Sequence, residues 1–266
     1  MRSIVTRNPL VSFFVLAFAL SWWAVPLGGF LPFGPLLAAC IVIGCVDGRP
    51  GLRALGRRML PRRGIGRWYV VAVAVPLGVA AVAIGVTLAA GAPPAALREL
   101  GPWYLVLAFG ALRLIDPLDG PLGEEPGWRG YALPQLLAGR SPLRASMVLG
   151  ALVALWHAPL VFLPAEHMPA LFLLATVAVT FVYTWLYLRT DGNVFTTILA
   201  HSAEGTIKLG ALGFVGVAST RLTVAYTVAW VVVATGLVLV DRKTWAIRTA
   251  PNALPLRRAA AAAGTV

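Results

Sequence analysis

Long apolar runs separated by short polar or basic stretches organise this chain. They fall at 9–28, 32–47, 69–91, 102–118, 143–163, 169–188, 193–215 and 222–241. Within each run the apolar residues are continuous and do not alternate, which predicts helices rather than half-exposed strands. Most runs approach the roughly 20 residues that a helix needs to cross the hydrocarbon core of a bilayer. The second is shorter and rich in Gly and Pro. Only helices and closed barrels satisfy every backbone polar group in lipid. The pattern therefore predicts an all-α fold, a polytopic membrane bundle of about eight transmembrane helices.

Composition strengthens that reading. Of 266 residues, 59% are hydrophobic and 12% are charged, about half the charged share of a soluble domain. Mean hydropathy is +0.82. The net charge of +12 is mostly arginine, and its placement matters more than its size. Arg49, Arg53, Arg57, Arg58, Arg62, Arg63 and Arg67 crowd the loop at 48–68, and further cations sit at the two ends of the chain. Cytoplasmic loops of membrane proteins carry such an excess beside anionic lipid. Eight spans put both termini and this loop on the cytoplasmic side of a plasma membrane. Nucleic-acid binding is excluded as a reading, because no basic stripe alternates with stacking aromatics.

Residues 1–245 read as one transmembrane domain and 246–266 as a mobile cytoplasmic tail. The apolar run after Arg2 and Arg7 reads as an uncleaved first span, without a clear small-residue cleavage site. Cys40 and Cys45 form no metal or disulfide pattern and read as small buried apolar residues.

One segment breaks the apolar pattern. Residues 119–140 hold Asp119, Glu124, Glu125, Arg129 and Arg140 among several Gly and Pro. Pro126 suits the first turn of a helix, where its missing N–H is not needed, so a helix is expected to begin near Glu124. Glu125 and Arg129 stand at i and i+4, the spacing of an ion pair on one helix face. Glu124 is rotated about 100° from that face and free to look into a cavity. Charges in an apolar neighbourhood default to a functional site; the bland alternative is a solvated interfacial loop.

Two histidines lie inside other apolar runs: His157 within 143–163 and His201 within 193–215. Singly, each reads as an interhelical hydrogen-bonding group. Together with the glutamates they predict convergence on one polar intramembrane site. His167, beside Glu166 in a short loop, reads as solvated. Glu204 shares a helix face with His201, while Lys208 follows it at i+4; an ion pair with Lys208 and membership of the polar site are both open to it. Counting from the cytoplasmic ends places His157 some 14 residues into its helix and His201 about 8. For both to meet Glu124, the segment 119–140 must dip into the bilayer, as a bent continuation of the 102–118 helix.

Glu124-Glu125-x-x-x-Arg129 followed by Gly-Tyr-x-Leu-Pro resembles the first motif of the CPBP family of intramembrane proteases, which includes CAAX prenyl endopeptidases and bacteriocin-processing or immunity proteins. Trp156-His157-Ala-Pro159 resembles the second motif and His201 the histidine of the third. The motifs lie within 119–210 and follow the family's order. Two positions depart: Val153 stands where the second motif has Phe, and Gly205 where the third has Asn or Asp. The resemblance implies an intramembrane endopeptidase acting on a membrane-associated protein or peptide. It implies that Glu124, aided by His157, activates a water and that His201 stabilises the tetrahedral oxyanion, with Glu125, Arg129 and Glu204 in support. Zinc held by Glu124, His157 and His201 is open, since two His and one Glu match a catalytic ligand set but come from three separate segments. The rival readings are a scaffold or immunity protein that keeps the site's shape, favoured by Gly205, and a proton-coupled transporter, disfavoured because the chain shows no internal repeat.

Overall fold

The computed structural model describes residues 2–94, 98, 101–164, 166 and 168–246. The tail beyond Ala246 and His167 lie outside the described residues. Thirteen α-helices follow one another: α1 (Arg2–Arg7), α2 (Pro9–Trp22), α3 (Gly34–Val46), α4 (Gly48–Arg58), α5 (Gly66–Ala89), α6 (Trp103–Arg113), α7 (Gly120–Gly127), α8 (Leu133–Leu137), α9 (Pro142–His157), α10 (Phe172–Arg189), α11 (Val194–Thr206), α12 (Val217–Val240) and α13 (Arg242–Ala246). A π-helix, Trp128–Ala132, joins α7 to α8. Each of the eight apolar runs is helical, and no strand occurs among the described residues.

Among the described residues, five segments are long and apolar enough to cross a membrane: Pro9–Leu27, Gly66–Ala89, Pro142–Val161, Phe172–Arg189 and Val217–Val240. The expected count of eight is therefore not confirmed. α3, α6 and α11 have 13, 11 and 13 residues. At a rise of 1.5 Å per residue each reaches about 20 Å or less, short of a core about 30 Å thick. Gly and Pro set these lengths. α6 stops before Pro117, whose ring disfavours helix at the preceding residue, and the run after α11 is punctuated by Gly210, Gly213 and Gly216.

Two apolar cores hold the bundle. One gathers Phe13, Ala38, Ile43, Trp128, Leu133, Leu149 and Trp156 from α2, α3, the π-helix, α8 and α9. The other gathers Ala72, Val79, Val182, Leu186, Tyr226 and Trp230 from α5, α10 and α12. Outward, α5 presents Val70, Val82 and Val86 and α12 presents Val228, Val232 and Val240, all exposed. Such a belt of large apolar side chains suits lipid and would be a liability in water. The chain is a multi-pass helical membrane protein.

The polar segment takes the central place. α7 packs between α3 and α11, with Gly123, Glu124, Glu125, Pro126 and Gly127 buried. Gly123 and Gly127, one turn apart, permit that approach. A Cβ on Gly123 would meet Pro32 O at 2.9 Å, and one on Gly127 would meet Pro35 O at 2.5 Å. Small residues at i and i+4 let two backbones close together where the hydrophobic effect gives little drive. Gly123 and Gly127 turn to α3, so Glu124 and Glu125 are presented away from it.

Three expectations are corrected. The helix begins at Gly120, with Pro121 rather than Pro126 in its first turn. Pro126 lies inside the helix, and the chain widens into the π-helix just after it. Nor does the segment continue α6: the turn through Asp116 and Pro117 separates the two, so α7 enters the interior as its own short helix. Finally, half of the basic stretch 48–68 is helix. In α4, Gly51, Ala54 and Leu55 are buried, Arg49, Arg53 and Arg57 are exposed, and Arg58 turns inward. Both cysteines are free and half-buried.

Candidate active site

Glu124 and Glu125 arrive on α7, Arg129 on the π-helix, His157 at the last residue of α9, and His201 midway along α11. All five line one cavity of about 280 Å³, together with Thr180, Tyr183, Glu204 and Gly205.

Glu124 is 4% exposed. Its Oε2 accepts a hydrogen bond from the indole Nε1 of Trp128 at 3.3 Å and lies 3.9 Å from Nε2 of His157. That separation is too long for a direct hydrogen bond and suits a bridging water. The other His157 nitrogen, Nδ1, lies 2.9 Å from the carbonyl oxygen of Val153. A carbonyl can only accept, so Nδ1 carries a proton, and in the neutral ring Nε2 then offers its lone pair toward Glu124. This contact uses the backbone of residue 153, so Val in place of Phe leaves it intact. Around the ring, Trp156 packs edge-on at 4.7 Å, and Trp128 and Phe30 pack on Trp156. The Trp22 indole donates to Trp156 O at 3.0 Å, close to the end of α9.

Glu125 does more than pair with Arg129. Its Oε1 accepts from Arg129 Nη1 at 2.9 Å and from Nδ1–H of His201 at 3.0 Å. Arg129 is anchored in turn by Thr180 Oγ1 at 3.2 Å and by the Tyr183 ring, 5.0 Å from its guanidinium carbon. The result is a chain, Thr180–Arg129–Glu125–His201, that ties α10, the π-helix, α7 and α11 together and fixes the His201 ring. Its free Nε2 points to the α7 side: a Cβ on Gly120 would sit 3.2 Å from His201 Nε2 and 2.7 Å from Glu124 Oε1. Gly120 therefore marks where those two reactive atoms approach each other.

Glu204 also lines the cavity, and its carboxylate is hydrogen-bonded by the Tyr226 hydroxyl. Among the described residues it forms no ion pair with Lys208, whose ammonium instead lies 4.3 Å from the Phe109 ring centroid. Of Glu204's two open readings, the geometry takes the cavity. No three His, Cys, Asp or Glu side chains among the described residues are grouped closely enough to hold a metal ion. The donors of Glu124, His157 and His201, as placed, do not form a three-ligand set.

Sequence reasoning missed Trp128, although it stands at i+4 from Glu124 and the spacing rule that paired Glu125 with Arg129 applies to it equally. Arg58 was hidden among six other arginines. Its Nη1 and Nη2 donate to the carbonyls of Gly130 and Arg129 at 3.0 and 3.4 Å, its Nε to Gly192 O at 2.9 Å, and Nη2 also to Tyr187 at 2.7 Å.

A carboxylate thus faces an imidazole across 3.9 Å, with a second histidine held by a carboxylate–arginine pair, inside a helical membrane bundle. Residues 111–207 match the family model described as type II CAAX prenyl endopeptidase Rce1-like. CAAX prenyl protease 2 of Methanococcus maripaludis is 30% identical over 88 residues, 29% of this chain and 32% of that protein. The alignment thus spans about a third of that relative's length. Both findings are similarities over this segment, and they agree with its resemblance to the CPBP family of intramembrane proteases.

Proposed function

We propose that the protein is a CAAX-type endopeptidase that hydrolyses a peptide bond of a membrane-associated substrate with a water activated by Glu124 and His157. The observation that carries the reading is the 3.9 Å gap between Glu124 Oε2 and Nε2 of His157, whose Nδ1–H is spent on the Val153 carbonyl. A water there donates one O–H to each acceptor and turns a lone pair toward a carbonyl carbon. As the oxygen attacks, Glu124 takes a proton. His201, as an imidazolium whose Nδ1–H is held by the Glu125 carboxylate, presents its second proton, on Nε2, to the carbonyl oxygen as it becomes an oxyanion. Collapse breaks the C–N bond, and Glu124 returns the proton to the leaving amine. The remaining hydroxyl proton passes to Nε2 of His157, so the products are a carboxylate and an amine, and no step calls on a metal.

The name of the Methanococcus relative, a CAAX prenyl protease, points to a prenylated C-terminal peptide as the first substrate to try. In proteoliposomes, Glu124→Gln is expected to lower kcat by a hundredfold or more, with folding unchanged by thermal melting. Equal cleavage by wild type and Glu124→Gln sinks the peptidase reading.

A further inference from the structure

Gly205 lines the cavity one helical turn after His201, and the space of its missing side chain is occupied. A Cβ there would stand 2.9 Å from Nη1 of Arg113 and closer still to Cζ and Nη2 of the same guanidinium. Arg113 is the last residue of α6. Its side chain is only 11% exposed, although it carries a full charge. Nη1 donates to both carboxylate oxygens of Asp119, at 2.6 and 2.8 Å. Nε is buried without a hydrogen-bond partner, and Nη2 makes none among the described residues.

The placement is built rather than incidental. α6 lies against α11 through Gly110, whose Cβ would meet Thr206 Oγ1 at 2.8 Å. Asp119, which holds the guanidinium, immediately precedes Gly120, where Glu124 Oε1 and His201 Nε2 approach each other. Arg113 is thus braced within one turn of His201 on one side and beside the start of α7 on the other, with the N–H groups of Nε and Nη2 unspent. A buried guanidinium with open donors is costly unless it meets negative charge.

We propose, resting on the peptidase reading, that Arg113 supplies a second hydrogen-bond donor to the oxyanion, in the place that a side chain at 205 would fill. Gly205 is then the condition for Arg113.

Cleavage by the full chain in proteoliposomes tests this. Arg113→Ala is expected to lower kcat about a hundredfold with KM unchanged, and millimolar guanidinium should restore part of it. Gly205→Asn alone should also lose activity, because the new side chain collides with Arg113. In Arg113→Ala with Gly205→Asn, kcat should rise at least tenfold above Arg113→Ala. Thermal melts in detergent confirm that each variant folds. A wild-type kcat in folded Arg113→Ala overturns the proposal, as does a loss confined to KM or a double variant no better than Arg113→Ala. Equal rates for wild type and Glu124→Gln overturn the peptidase reading and this proposal with it. A normal dependence on Glu124 with a wild-type kcat in Arg113→Ala overturns this proposal alone.

Discussion

At the scale of single residues, the site depends as much on side chains that are missing as on those present. Gly120 carries no chemistry, yet a methyl group there would stand 2.7 Å from Glu124 Oε1 and 3.2 Å from His201 Nε2. These contacts are shorter than carbon–oxygen and carbon–nitrogen van der Waals separations, and crowding of that kind forces side chains off their rotamers. Gly120→Ala is expected to reduce cleavage at least tenfold while lowering the melting temperature by only a few degrees, since the methyl meets two side chains rather than backbone. A wild-type rate in a folded Gly120→Ala variant would show that the reactive atoms do not meet there. Glu124, His157 and His201 were legible from the sequence because charge and imidazole stand out in apolar runs. Gly120 was not, because nothing local distinguishes it from the 26 other glycines of the chain. The double duty of Glu125, bonded to Arg129 in its own segment and to His201 on α11, was half legible: spacing gives the first partner and only folding the second.

At the scale of elements, the segment from α7 to α8 is an interrupted helix whose breaks are compensated from outside. Pro134 has no N–H to offer the carbonyls of Gly130 and Arg129, four and five residues before it. Arg58 on α4 donates to both and reaches Gly192 O and Tyr187 besides. Non-standard helix in a membrane protein persists where other groups re-satisfy the freed backbone. Hydrogen bonds from charged groups contribute about 1.5–3 kcal/mol each, and deletion leaves buried acceptors unmet. Arg58→Ala is therefore expected to destabilise by at least about 2 kcal/mol, a visible drop in melting temperature. Ala substitution of exposed Arg53 in the same helix should change little. Equal effects of the two would mean that Arg58 is only another interfacial cation. The boundaries predicted for this segment failed for a related reason. Two prolines, Pro121 and Pro126, satisfy the same first-turn rule, and the choice between them depends on how closely Gly123 and Gly127 let α7 approach α3.

At the scale of the whole molecule, α9, α10 and α12 together with the short α7 and α11 line a polar cavity that lipid alone would not tolerate. The side chains that line the cavity come from α7, the π-helix, α9, α10, α11 and α12, so cleavage should require the intact bundle. No step of the proposed reaction routes through a metal, and activity is expected to survive exhaustive chelation with no zinc found by elemental analysis; loss on chelation with recovery on added zinc would refute that. The sequence by itself determined the membrane class, the helical character of every apolar run, the Glu125–Arg129 pair and the three polar positions that meet in the cavity. Hydrophobic continuity and i, i+4 spacing are local properties, readable without a fold. Only the tertiary structure decided how many helices have spanning length, where α7 starts, which nitrogen of each histidine faces the cavity, and that Arg113 stands where residue 205 has no side chain. Each of these is a matter of contact between residues far apart in the chain, settled by packing, close backbone approach and the need of every buried polar group for a partner.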